Sequence, residues 1–196
     1  SDDGSKIAVG MRSVNYSNLT GELIGVVRIY ENVDNIWSQL GTDLDGSGWG
    51  NRGGNSINIS SDGNVVAIGT PGIDANNLVD SGHVRIYKNV NNTWTQIGNN
   101  IAGSSSGDQS GWSVSLSSDG SVIAIGSPTK NESSGSVSIF QYSNGNWIKI
   151  GSDIDGEAFG DESGYSVSLS SDGSVVALAS PGNDGNSSNS GNVRVF

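Results

Sequence analysis

Carboxylates are the chemistry this chain offers in quantity. Asp153, Asp155, Glu157 and Asp161 place four acidic side chains within nine residues. Oxygen donors at that density suit a hard cation such as calcium, or the hydroxyls of a polyol, so these four are the candidate metal ligands. A plainer role is the favoured one for them, because Asp caps turns and keeps surfaces solvated. The preceding repeat has Asn100 and Ala102 where this one has Asp153 and Asp155. The candidate ligand-binding set is wider: Trp49, Arg52, Asp74, Asp80, Asp108, Glu132, Asp161 and Glu162. Trp49 belongs to it because it breaks the repeated pattern of the other tryptophans and could stack on a ligand.

Other chemistries lack their residues. There is no cysteine, which removes disulfides, thiolate metal sites and thiol nucleophiles together. His83 is the one histidine, and its counterparts in the other repeats are Val26, Ser136 and Asn192. It is expected to be a surface residue, and histidine acid–base chemistry has no repeat-wide support. Acids are plentiful enough for a glycosidase pair, but nothing singles one out. No glycine-rich stretch opens a helix as a phosphate-binding loop would.

Composition bounds the partners. The net charge is −11, from 20 acids against 9 Lys and Arg. Nucleic acid and anionic lipid bind through Lys and Arg that displace counterions, so neither is expected as a partner. No apolar run approaches the length of a membrane helix. Glycine is abundant at 30 residues and proline scarce at 3, with short Val/Ile runs between Ser and Asn. That pattern calls for many short strands and many turns.

The elements repeat. Gly-x-Val-Arg-Ile-Tyr stands at Gly82 to Tyr87, slightly extended at Gly25 to Tyr30, and varied at Gly135 to Phe140 and Gly191 to Phe196. Ten residues after Val27, Val84 and Val137 comes a tryptophan, at Trp37, Trp94 and Trp147. These tryptophans are expected to pack between repeats. Twenty-five residues further on is the Asp of a Ser-Asp-Gly turn, at Asp62, Asp119 and Asp172. Only the stretch from that Asp to the next Val varies, so insertions enter at one connection per repeat.

Four strands are predicted per unit: A as at Gly111 to Ser117, B as at Val122 to Gly126, C the Val-Arg-Ile-Tyr element and D as at Trp94 to Gly98, with Asp-Gly joining A to B as a tight hairpin. Antiparallel order then puts the variable B–C loops and the D–A loops on one face. Those loops carry 13 of the 20 acids, including Asp43, Asp45 and Asp184 besides the candidates above. Arg28, Arg85 and Arg194 recur on strand C, with Ser138 replacing them once, and are expected to pair with a carboxylate of a neighbouring repeat.

Sheets of this kind, recurring every 53 to 59 residues, predict an all-β fold of four-stranded antiparallel blades stacked radially as a β-propeller. The alternative is a β-solenoid. The 14 strands make about three and a half repeats: 1–53 with strands B to D, 54–110, 111–163, and 164–196 with strands A to C. An incomplete ring is expected, without the natural N-terminus, whose open edges contact further repeats or another copy.

These residues resemble FG-GAP repeats, the blades of the integrin alpha propeller, and the bacterial FG-GAP-like variety more closely. Trp112-Ser113-Val114 and Tyr165-Ser166-Val167 stand where the family has Phe-Gly, and Ala124 to Pro128 stands where it has Gly-Ala-Pro. In integrin-like blades the A–B connection carries a calcium loop of several carboxylates; here it is Ser-Asp-Gly, with one. The resemblance implies a secreted or cell-surface module, requiring no cofactor and admitting calcium, that adheres to a glycan or extracellular protein without catalysis. Two alternatives stand beside it: a polysaccharide hydrolase or lyase on a propeller scaffold, and a structural spacer.

Overall fold

A computed structural model describes residues 1–15, 23–45, 53–185 and 187–196. Trp49 and Arg52 lie outside them. Strands dominate, all paired antiparallel into four sheets in chain order. The first holds β1 (Lys6–Asn15), β2 (Leu23–Val33) and β3 (Ile36–Gln39), with β4 (Leu44–Asp45) also on β2. The second runs β5 (Ser56–Ile59), β6 (Val65–Thr70), β7 (His83–Val90) and β8 (Thr93–Gln96), with β9 (Ile101–Ala102) on β7. The third comprises β10 (Ser113–Leu116), β11 (Val122–Ser127), β12 (Ser136–Ser143) and β13 (Asn146–Asp155). The fourth comprises β14 (Ser166–Leu169), β15 (Val176–Ser180) and β16 (Asn192–Val195). One short helical stretch, α1 (Lys130–Ser133), turns left-handed at Asn131 and Glu132.

Period-two alternation explains why the sheets stack. On β6, Val66 and Ile68 face Val27, Ile29 and Leu40 of the first sheet. Val65 and Ala67 point the other way, onto Val114, Leu116, Ile123 and Ile125 of the third. A third cluster joins Ala124 and Val137 to Val176 and Leu178 of the fourth sheet. A strand apolar at every position thus has both faces covered, and each fully buried Val or Ile contributes about 1.5–3 kcal/mol.

The strands nearest one another between sheets are β1, β5, β10 and β14. Polar side chains stitch them. Asn58 Oδ1 accepts from the Leu116 N–H at 2.9 Å, and Ser115 Oγ from the Leu169 N–H at 3.0 Å.

The Ser-Asp-Gly turns consume their carboxylates. Asp119 accepts from the Ser117 hydroxyl, the Ser121 N–H and the Ser121 hydroxyl at 2.7–2.9 Å, while Ser117 Oγ accepts from the Val122 N–H. Asp3, Asp62 and Asp172 are held the same way. The Ser170 hydroxyl, then the Ser174 N–H and hydroxyl, hold Asp172 at about 2. The turns also join one another through the main chain: Asp2 N–H to Ser61 O, Ser61 N–H to Ser118 O, Ser118 N–H to Ser171 O, all at 2.8–3.0 Å.

Two expectations about strand ends are corrected. Strand D does not stop at Gly41, Gly98 or Gly151. Each glycine takes a positive φ, a bulge that bends the strand, and the chain then pairs again with the start of strand C: Leu44 with Val27, Ile101 with Val84, Ile154 with Val137. Asp153 and Asp155 therefore lie on β13 and not in a loop. His83 is buried, 3% exposed, because β9 covers the start of β7 where His83 pairs with Ala102 on one side and Thr70 on the other.

Candidate functional site

The D–A loops lie directly against the B–C loops. Gly82 bridges Ser110 and Gly135 bridges Ser163, with Ser110 N–H donating to Ser81 O and Ser163 N–H to Ser134 O, both at 2.9 Å. Two loop families therefore build one rim, and a groove opens where the rim meets the junction of the second and third sheets. It has a volume of about 210 Å³.

β9 and the following loop supply one wall, with Ile101, Ser104 and Asp108; Ser127, Lys130, Ser138, Phe140, Lys149 and Asp153 supply the other. At its centre Asp153 is clasped by two ammonium groups. Lys130 Nζ lies 3.0 Å from Oδ2 and Lys149 Nζ 2.6 Å from Oδ1, and the Ser138 hydroxyl donates to Oδ1 as well. The side chains of Lys130 and Asp153 are 17% and 18% exposed. Burial pushes the Asp153 carboxyl upward, but the hydrogen bonds from Lys149, Ser138 and Lys130 outweigh it and hold the group at about 2. Asp153 is thus a permanent anion at neutral pH, and the cluster of two lysines and one aspartate carries a net positive charge on a strongly acidic chain. Asp108, 4% exposed on the facing wall, spends Oδ2 on the Ser104 N–H and hydroxyl and the Ser105 N–H, which shapes that loop. With Asp108 and Asp153 set against Lys130 and Lys149 the formal charges of the lining balance, and its hydroxyls, paired ammonium groups and Phe140 ring together suit a polyhydroxylated ligand with a polar carbonyl.

The candidate residues scatter otherwise. Asp161 is 2% exposed, and its Oδ2 accepts from the Glu157 and Ala158 N–H groups and from Asn183. Glu157 reaches Arg194 at 3.8 Å, and Asp155 meets Asn131 at 3.4 Å. Among the described residues no three acidic or histidine side chains converge as metal ligands do. Asp74 accepts from the Asp80 N–H at 2.9 Å within its own loop, and Glu132 lies in α1. Glu162 borders a small hollow with Trp112 and Tyr165, whose rings lie 5.6 Å apart.

The arginine pairing is corrected in part. Arg28 makes a two-pronged contact at 2.9 Å with Asp43 of its own sheet, whereas Arg194 does reach back to Glu157 in the preceding repeat. Asp43 occupies the repeat position of Asp153. Where the first sheet pairs Arg28 with Asp43, the third has Ser138 on strand C and draws its positive charge from Lys130 and Lys149 instead. Neither lysine was a candidate from the sequence. The signal was three coincident departures in one repeat: Ser138 in the arginine position, Lys149 where the others have Gln39 and Gln96, and Lys130 in the variable loop.

No family profile and no curated protein sequence matches the chain. Solved structures do. One, from Bacteroides uniformis and provisionally described as a 6-phosphogluconolactonase, aligns over 100% of this chain and 65% of its own, at 14% identity and a TM-score of 0.61. Another, described as the complex of KlAtg21 with the coiled-coil of AgAtg16, aligns over 88% of this chain and 49% of its own, at 14% identity and a TM-score of 0.54. The chain thus spans less than two thirds of the length of either. At these identities the likeness is one of fold, and the fold is propeller-like. The expectation of a non-catalytic adhesion module is corrected by the first of these matches: the scaffold that takes in the entire chain is described as a lactonase, an enzyme.

Proposed function

We propose that this chain is part of a β-propeller enzyme that hydrolyses an ester within a sugar-derived substrate, a ring lactone being the simplest, seated between its second and third blades. The blades would be FG-GAP-like in sequence, four strands each where complete. The observation that carries the reading is the clasp of Asp153 by Lys130 and Lys149 inside the groove. Ester hydrolysis develops negative charge on the carbonyl oxygen as water adds, and pre-positioned cations stabilise that charge most where water is partly excluded. Lys130, held by Asp153, would face the substrate oxygen. Asp153, ionised far below neutral pH, is a weak base and serves as the positioning residue for both ammonium groups. Ser104 and Ser138 would bind ring hydroxyls. The likeness to a structure described as a 6-phosphogluconolactonase supports the substrate class.

The test is direct. Proton release from δ-gluconolactone and its 6-phosphate is followed in a pH-stat, beside reducing-sugar release from plant and algal polysaccharides. Lactone opening above the buffer rate that falls at least about tenfold in Lys130→Met supports the proposal. Release from polysaccharide alone moves the substrate to a glycan, with Trp112 and Tyr165 as its stacking ledge. Buffer-level rates on every substrate sink the enzymatic reading.

A further inference from the structure

Trp94 and Trp147 perform the same act one repeat apart. Trp94 Nε1–H donates to the Leu40 carbonyl at 2.9 Å, and Trp147 Nε1–H to the Ile97 carbonyl at 3.0 Å. Each indole also fills the space over the next glycine. A Cβ at Gly41 would meet Trp94 Cδ1 at 2.8 Å, and one at Gly98 would meet Trp147 Cδ1 at 2.7 Å. Strand D of each sheet therefore ends its first half in a socket, a carbonyl followed by a positive-φ glycine, made for the tryptophan of the next sheet.

The third such socket is Ile150–Gly151. Gly151 has the same backbone, φ +68°, and nothing lies within 4 Å of its Cβ position. A hollow of about 320 Å³ opens there, lined by Ile139, Ile150, Leu169, Val176 and Phe196. Beside it runs the outer edge of β16, which pairs only with β15 among the described residues. Ile150 and Phe196 are left 39% and 53% exposed.

We propose that this socket and the β16 edge together form a docking site for one kind of occupant: the tryptophan-bearing D strand of a further repeat of this type, bound as an added strand. Adjacent sheets supply the register. In the third sheet Phe140 pairs with Lys149 and Val137 with Ile154. Phe196 and Val193 are the equivalent strand C residues, so the incoming strand would set its second residue after tryptophan opposite Phe196. Main-chain pairing along β16 gives affinity, and the indole in the socket gives specificity.

The probe is a labelled peptide with the sequence of Ser143–Asp155, titrated with the full chain by fluorescence anisotropy. Saturable binding is expected, weakened at least about tenfold by Trp147→Ala in the peptide, a loss of about 1.4 kcal/mol or more. Gly151→Val in the chain should weaken binding likewise. Because that variant could unfold, the peptide substitution stands as the decisive comparison. No saturation by about 1 mM, corresponding to less than about 4 kcal/mol, overturns the proposal. Equal affinity of the Trp147→Ala peptide overturns it too, since the edge alone would then bind. Self-association of the chain that Trp37→Ala disperses would assign the socket to a second copy, and that result also overturns it.

Discussion

Trp94 crosses from the second sheet to the first and hydrogen-bonds the Leu40 carbonyl at 2.9 Å. With only 8% of its surface exposed, it joins Val27, Ile29, Val66 and Ile68 in one core cluster. Trp94→Ala should therefore cost about 3–5 kcal/mol, the usual range for emptying a large aromatic site. Trp94→Phe keeps most of the apolar contact but strands the carbonyl, at a cost of about 1–2 kcal/mol. Urea denaturation of the two variants separates the contributions.

The Ser-Asp-Gly turn offers a second comparison. Asp119→Ala removes three hydrogen bonds from an exposed turn and should cost about 1–2 kcal/mol. Gly120→Ala should cost more, about 2 kcal/mol or above. Its φ is +70° and an added Cβ would sit 2.7 Å from Val65 Cβ in the preceding repeat. Thermal melts that rank the two variants the other way would contradict this account of the turn.

Acid should loosen the lysine clasp. The folded pKa of Asp153 is lowered to about 2, against about 3.9 for an unperturbed carboxyl. Its stabilising contribution is fully present above about pH 4 and is lost as pH falls through about 2. Asp153→Asn should lower the melting temperature at pH 7 and make the decline between pH 4 and 2 shallower. Carboxyl chemical shifts in a pH titration check the value independently.

His83 works in a higher window. Burial, with Arg85 adding repulsion, depresses its pKa to about 4. Between about pH 6.5 and pH 4 the unfolded chain accepts a proton that the folded chain refuses, so stability falls on acidification through that window and levels off below it. The loss is at most about 3 kcal/mol. His83→Asn, matching Asn192 in the fourth sheet, should narrow the difference in melting temperature between pH 7 and pH 4.5.

The strand phase was legible because it rests on local signals: valine and isoleucine alternation, Asp-Gly turns, and a tryptophan in constant register. Gly41, Gly98 and Gly151 misled for the same reason. A glycine ending an apolar run looks like a stop, and only the pairing of Ile101 with Val84 or Ile154 with Val137 shows that the strand resumes. The burial of His83 follows from that resumed strand and could not be seen without it. In the candidate site Asp153 was legible as an acid in a dense cluster. Its two lysines were not: Lys130 comes from another loop, and the exchange of Arg28 for Ser138 looks like loss of charge until the fold shows charge brought in from elsewhere.

The main-chain links from Asp2 to Ser61, Ser118 and Ser171 carry a consequence for the history of such chains. They join each turn to the next through main-chain N–H and C=O groups, which every residue but proline possesses. A copied or deleted repeat therefore meets its neighbours through the same contact at once, with no compensating substitution, and unequal recombination could lengthen or shorten the array without first breaking it.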